Sequence, residues 1–112
     1  MQIVTRKHLE EAMDAYQDAA DELKTWRRIA KAARWRNIVE VQSIYKDADP
    51  VAGYVIFNIR GNRYRLVTVI HYSKVIKGNP TKGHVYIRSF LTHKEYDSFA
   101  NWDKKYGGRK KK

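Results

Sequence analysis

The amino-acid sequence predicts an α+β domain. Apolar residues recur at spacings of three and four as far as residue 33, then at a spacing of two from residue 53 onward. Three Trp, eight Tyr and three Phe in 112 residues supply bulk for one modest core. We expect a single domain over residues 1–106 and a disordered basic tail over 107–112.

Residues 6–33 read as helix, because Leu9, Met13, Tyr16, Ala20, Leu23, Trp26 and Ala30 fall on one stripe. Acids crowd its early part and bases its later part, as a helix dipole prefers. A break near Gln17-Asp18, with Asp18 capping a second helix, would make a helical hairpin. One continuous helix satisfies the same periodicity. Asn37-Ile38-Val39-Glu40 has capping-box spacing and predicts a short helix over 38–45, with Val41 and Ile44 on the face of Ile38. The β-branched residues there also suit a strand. Asp47-Ala48-Asp49-Pro50 reads as a turn, since the residue before proline avoids the helical region.

Residues 53–60 and 63–73 are rich in Val, Ile, Tyr and Phe, and Gly61-Asn62 between them suits a type II′ hairpin. That turn pairs Ile59 with Tyr64, Asn58 with Arg65 and Phe57 with Leu66. One face then carries Val55, Phe57, Ile59, Tyr64, Leu66 and Ile70 toward the helices. The other carries Tyr54, Ile56, Asn58, Arg65, Val67 and His71. Residues 74–83 form a basic, exposed loop around Gly78-Asn79-Pro80. In a further strand over 84–91, Val85, Ile87 and Leu91 face the core and His84, Tyr86, Arg88 and Phe90 face away. Thr92-His93-Lys94-Glu95 is a second capping box and opens a last helix through about Lys104. Trp26, Trp35, Phe99 and Trp102 are expected in the core.

Twenty-three Lys and Arg against twelve Asp and Glu give a net charge of +11. Residues 1–50 are neutral, whereas residues 51–112 hold fourteen bases against three acids. A basic face on a neutral scaffold is the electrostatic footprint of a polyanion binder. The absence of cysteine excludes disulfides, thiolate zinc sites and a cysteine nucleophile. The longest apolar run, Tyr54-Val55-Ile56-Phe57, is far short of the ~20 residues of a membrane span, and Met1-Gln2-Ile3-Val4-Thr5 starts no signal peptide. The expected location is cytoplasmic, with no membrane partner.

The four histidines show no ligand spacing and no glycine-rich nucleotide loop is present, so neither a metal nor a cofactor is expected. The side chains on offer suit metal-free RNA cleavage, in which the 2′-hydroxyl attacks its own phosphate. Arginine holds phosphate bidentately and keeps its charge. Histidine titrates near neutrality, and tyrosine can donate or relay a proton. Arg65 and Arg88 are placed on the face away from the helices. His93 lies in the first helical turn, where backbone N–H groups attract anions, with Tyr96 three residues on. These four are the expected catalytic group, converging where the last strand meets the last helix. Arg60, Arg63, Lys74, Lys77, Lys82 and Lys94 are expected RNA contacts.

The blocks Tyr54-Val55-Ile56-Phe57-Asn58-Ile59, Gly61-Asn62-Arg63-Tyr64-Arg65-Leu66-Val67, Val85-Tyr86-Ile87-Arg88 and Leu91-Thr92-His93-Lys94-Glu95-Tyr96-Asp97 resemble the HigB toxins of type II toxin–antitoxin modules, in element order over residues 2–103. The resemblance implies a RelE-like fold: a twisted antiparallel sheet with the helical hairpin on one face, a cleft on the other and a short C-terminal helix. It implies an mRNA endoribonuclease that acts at the ribosomal A site and stops translation. Its partners would be mRNA, ribosomal RNA and a HigA-type helix-turn-helix antitoxin, with operator DNA reached only through that antitoxin. Arg65 and Arg88 match the phosphate-holding arginines, and His93 and Tyr96 the acid–base or base-stacking positions. The long loop 74–83 and the basic tail exceed the family pattern. A non-catalytic protein that binds RNA or the ribosome through the same basic face is the alternative. A DNA-binding regulator is disfavoured, because the basic half reads as strands and lacks a recognition helix.

Overall fold

The computed structural model describes residues 1–97. The expected end of the last helix near Lys104, the core placement of Phe99 and Trp102, and the tail over 107–112 lie outside the described residues. In chain order the elements are β1 (Gln2–Val4), α1 (Arg6–Ala15), α2 (Gln17–Ala32), α3 (Ile38–Gln42), β2 (Asp49–Val51), β3 (Tyr54–Ile59), β4 (Tyr64–His71), β5 (Val75–Ile76), β6 (Asn79–Pro80), β7 (His84–Thr92) and α4 (His93–Asp97). Five strands form one sheet in the order β1-β7-β4-β3-β2, and β5 pairs with β6 apart from it.

The helical hairpin forms, with its break at Tyr16 (φ −128°, ψ 78°) beside Gln17 as expected, but Tyr16 and not Asp18 occupies the cap position. No side chain caps α2. The break resets the helical phase, so that Ala19 rather than Ala20 joins Leu23, Trp26 and Ala30 in the buried row. Asp18 sits in the first turn of α2 and serves the sheet instead. It accepts the Tyr64 hydroxyl at 2.9 Å and the Arg63 guanidinium at 2.9 Å. These partners, Tyr64 first and Arg63 after it, hold the Asp18 carboxyl below the usual carboxylate range. A carboxyl depressed in the folded state stabilises the fold above its unfolded value of about 3.9, and that stabilisation is lost as the pH falls through the folded value. Asp18→Asn is therefore expected to flatten the acid arm of a pH series of urea unfolding midpoints, leaving the neutral arm parallel to the parent.

At α3 the expected cap is present, with the Asn37 side-chain oxygen accepting from the Glu40 N–H at 3.0 Å. The helix ends earlier than expected, at Gln42. The chain then tightens, Ile44 N–H reaching back only to the Val41 carbonyl, so Ile44 stays exposed. Tyr45 turns inward in its place, its ring 5.4 Å from that of Phe57.

The β3–β4 hairpin has the expected register: Ile59 opposite Tyr64, Asn58 opposite Arg65, Phe57 opposite Leu66. Gly61 lies at φ +65°, a conformation glycine adopts without a steric penalty, and the Arg63 N–H donates to the Arg60 carbonyl across the turn. All six residues expected toward the helices, from Val55 to Ile70, join one buried cluster with Leu9, Leu23, Trp26 and Trp35. The opposite face is not bare. Tyr54, Ile56, Val67 and Leu91 form a smaller buried cluster there, against which Tyr96 packs.

Three features depart from the sequence reading. β1 joins the sheet parallel to β7, so the sheet is mixed at one edge and antiparallel elsewhere. Asp49 and Pro50, expected in a turn, instead form the opposite edge strand with Val51; an edge tolerates Pro50 because its missing N–H leaves no ladder bond unmade. The third departure is a β-bulge in β7. Val67 pairs with Ser89 but Thr68 pairs with Ile87, leaving Arg88 as the extra residue. The bulge reverses the faces beyond it. Phe90 turns onto the helix side, 5.0 Å from the Tyr64 ring, and Leu91 joins the opposite cluster, contrary to strict alternation. Thr5 fills the gap, its hydroxyl donating to the Ile87 carbonyl at 2.8 Å and accepting the Ile87 N–H at 3.1 Å.

Candidate functional site

The site is built where the start of β4 meets the start of α4. Arg65 stands opposite Asn58 on β3 and Leu91 on β7. The reciprocal capping box fixes the helix start: Thr92 N–H donates to the Glu95 carboxylate at 2.9 Å, and Glu95 N–H to the Thr92 hydroxyl at 3.1 Å. The His93 N–H donates to the Arg63 carbonyl at 2.8 Å and ties α4 to the hairpin. Two N–H groups of this first turn, those of His93 and Glu95, are therefore engaged internally, which weakens the expected attraction of that turn for an anion. The side chains carry the chemistry instead.

The Arg65 guanidinium is the hub. Nη2 donates to the Asn62 side-chain oxygen at 2.8 Å, and Nη1 to the Asn62 carbonyl at 3.1 Å. Nη2 also lies 3.3 Å from His93 Nδ1. A guanidinium has no acceptor, so Nδ1 can take part in this contact only as the acceptor. The Arg65 charge stands over the Tyr96 ring, 5.4 Å from its centroid, in cation–π geometry. Beside this group opens a cavity of about 400 Å³, lined in part by Ile56, Asn58, Arg65, Tyr96 and the Asp49-Pro50 edge.

Of the four residues expected to converge, the structure brings Arg65, His93 and Tyr96 together. Arg88 is exposed at the bulge, roughly 10 Å along β7 from the residue opposite Arg65. Alternation alone places it on the Arg65 face, whereas the bulge sets it and Ser89 jointly against Val67.

Of the expected RNA contacts, exposed Lys94 adjoins His93 on α4. Arg63 is turned to the helix side and paired with Asp18, and the Arg60 N–H is held by the Glu22 carboxylate at 3.1 Å. Lys74, Lys77 and Lys82 are exposed, but they lie past the far end of β4, roughly 20 Å along the strand from Arg65. Sequence reasoning missed Asn62 and Asn58. In the sequence Asn62 reads only as a turn residue, and its spacing of three from Arg65 is the available signal.

Among the described residues no group of three His, Cys, Asp or Glu is gathered as a metal site, and no helix is long and apolar enough to cross a membrane. The chain is 24% identical over 103 residues to the mRNA interferase toxin HigB of Escherichia coli (strain K12), spanning 89% of this chain and 91% of the relative. The mRNA interferase HigB of Shigella flexneri matches to the same extent. The family model for the HigB toxin, the RelE-like toxic component of a toxin–antitoxin system, matches residues 19–99. That span contains most of the helical hairpin's second arm, the whole β3–β4–β7 sheet centre and the Arg65–His93–Tyr96 group, and the chain belongs to the HigB toxin family.

Proposed function

We propose that the chain is a ribosome-dependent mRNA endoribonuclease that cleaves by metal-free attack of the 2′-hydroxyl on the adjacent phosphate. The observation that carries the reading is the single guanidinium of Arg65 held between an imidazole nitrogen and a phenol ring at the mouth of a cavity. The relatives' name, mRNA interferase, supports the substrate class.

In the reaction the 2′-hydroxyl loses its proton, O2′ bonds to phosphorus, the P–O5′ bond breaks, and O5′ takes up a proton. A 2′,3′-cyclic phosphate and a 5′-hydroxyl result. The Arg65 guanidinium donates toward His93 Nδ1, so the lone pair a general base uses lies at that nitrogen. An incoming phosphate draws the guanidinium to itself and releases that lone pair for the 2′-hydroxyl. The same guanidinium then stabilises the extra negative charge of the phosphorane. The proton reaches O5′ from the Tyr96 phenol or from the imidazolium just formed, and Tyr96 also offers a ring on which a base stacks. Arg88, at the bulge, holds a neighbouring phosphate. An antitoxin of the HigA type, carrying the DNA-binding function, silences the activity.

The test is to induce the chain alone in a bacterium and map the 5′ ends of cellular mRNA, with His93→Ala alongside. In-frame cuts confined to translated regions and absent in the variant are expected. Arrested growth with intact transcripts would sink the reading in favour of a non-catalytic ribosome binder.

A further inference from the structure

Residues 74–83, the segment that exceeds the family pattern, fold as a small ribbon. Among the described residues β5 and β6 pair only with each other, Val75 opposite Pro80 and Ile76 opposite Asn79. Seven consecutive residues, Lys74 to Pro80, are exposed. Successive side chains of a strand point to opposite faces, so Val75 and Ile76 report on both faces of the ribbon. Val75 is 67% exposed and Ile76 49%. Neither face lies flat on the body, and the ribbon stands out as a finger.

The base of the finger is fixed. The Ser73 N–H donates to the Trp35 carbonyl at 2.8 Å, and the Thr81 N–H to the Lys74 carbonyl at 2.7 Å. The Lys74 N–H donates in turn to the Thr81 hydroxyl at 3.0 Å. Ser73 and Trp35 are buried, so the finger is rooted in the core and loses little freedom on binding. Its tip turns through Lys77 (φ +51°) and Gly78 (φ +82°), the left-handed pair of a tight hairpin. Asparagine or glycine suits the first of these positions better than lysine does, so the turn carries some strain and keeps a cation at the tip. Lys74, Lys77 and Lys82 flank the two aliphatic side chains, and residues 74–83 hold no acid. Among the described residues none of these three lysines forms an ion pair.

An aliphatic tip framed by cations is selective about its partner. Single-stranded nucleic acid is gripped by cations together with aromatic faces on which bases stack, and Val75 and Ile76 offer no such face. A second copy of the chain would set lysine against lysine, which costs affinity. A protein groove with apolar walls and an acidic rim meets both the aliphatic side chains and the charge. We propose that the 74–83 finger is a docking element for the antitoxin, inserting Val75 and Ile76 into an apolar groove whose rim is acidic. A toxin–antitoxin family implies the antitoxin as partner, and the inference rests on the proposed silencing by it. Lys74, Lys77 and Lys82 thereby meet protein carboxylates in place of the RNA expected from the sequence. The finger begins past the far end of β4, roughly 20 Å along the strand from Arg65, so an antitoxin docked here grips the toxin without having to enter the Arg65 cavity.

The experiment uses the full chain and the purified helix-turn-helix antitoxin of its own module, with affinity and rates measured in the absence of RNA. The double variant Val75→Ser, Ile76→Ser changes only exposed side chains and should keep a native circular dichroism spectrum. It is expected to bind the antitoxin about 30–100-fold more weakly, the cost of two apolar side chains no longer buried, mostly through faster dissociation. Val75→Ile with Ile76→Val keeps the apolar volume and should keep the affinity. Lys77→Glu should slow association and lose its acceleration at low salt. In cells the Ser double variant should arrest growth as the parent does, while co-expressed antitoxin no longer relieves the arrest. Unchanged antitoxin affinity in the Ser double variant would overturn the proposal. So would lost growth arrest with antitoxin binding intact, which would place the finger on the ribosome. A parent chain that binds the antitoxin through the finger yet cuts no mRNA would remove the proposed reaction and leave this surface standing.

Discussion

Arg65→Ala is expected to lower the rate of RNA cleavage by about 10²–10³-fold, the usual cost of removing one preorganised donor to transition-state charge. The geometry argues for the upper end. One guanidinium contacts both oxygens of Asn62, His93 Nδ1 and the face of Tyr96, so its loss would remove the proposed phosphate contact and release the imidazole together. Arg65→Lys should recover little. An ammonium keeps the charge but not the planar fork that spans Asn62 and His93 at once. Single-turnover cleavage of mRNA on programmed ribosomes measures both variants. Circular dichroism should show native folding, because Arg65 is half-buried at the rim and no core residue depends on it. A fully active Arg65→Ala chain would remove the site.

The second large effect is on stability. Phe57→Ala should cost about 3–5 kcal/mol, the usual range for deleting a buried aromatic ring. Total stabilities run to about 5–15 kcal/mol, so such a loss decides whether the chain folds at growth temperature. Phe57 is the centre of the aromatic core. Its ring lies 5.4 Å from Trp26, 5.4 Å from Tyr45 and 6.4 Å from Trp35. Those partners come from α2, the turn after α3 and the segment between the helices, and the one ring joins them to the sheet. Trp26 Nε1 is buried with no hydrogen-bond partner among the described residues, so Trp26 contributes here through packing alone. Phe57→Leu keeps most of the volume and should cost distinctly less. Urea midpoints for the two variants measure the difference.

Much of the candidate site was legible because its determinants are local. A glycine at the tip of a hairpin sets the register of both strands, and that register put Arg65 on the face away from the helices. Thr92 and Glu95 are three residues apart and cap each other, which fixed the start of α4 and so the position of His93. Arg88 was placed less well. Strict alternation runs until a bulge interrupts it, and residues 84–92 carry no glycine or proline to announce one. The bulge depends on Thr5, more than eighty residues earlier in the chain, meeting the Ile87 backbone groups with its hydroxyl. Asp18 shows the same limit. As a helix-start acid it reads as a cap, but the hairpin supplies Tyr64 and Arg63, and those partners draw it away from its own helix.

By itself, then, the sequence determined the order of the helices and of the three central strands β3, β4 and β7, the β3–β4 register, the six core-facing hairpin residues and the positions of Arg65, His93 and Tyr96 along the chain. All of these follow from turn chemistry, capping and periodicity, which act over a few residues. The tertiary structure decided the parallel edge strand β1, the bulge at Arg88, the contact of Arg65 with His93 and Tyr96, and the gathering of Lys24, Arg27, Arg28 and Lys31 of α2 beside β1. Each requires segments distant in sequence to meet. A running count of charge cannot register that a helix with nearly equal numbers of acids and bases turns its acids toward the hairpin and its bases toward β1. That separation exists only once the row from Ala19 to Ala30 is buried, because burial of one face fixes where the other two must point.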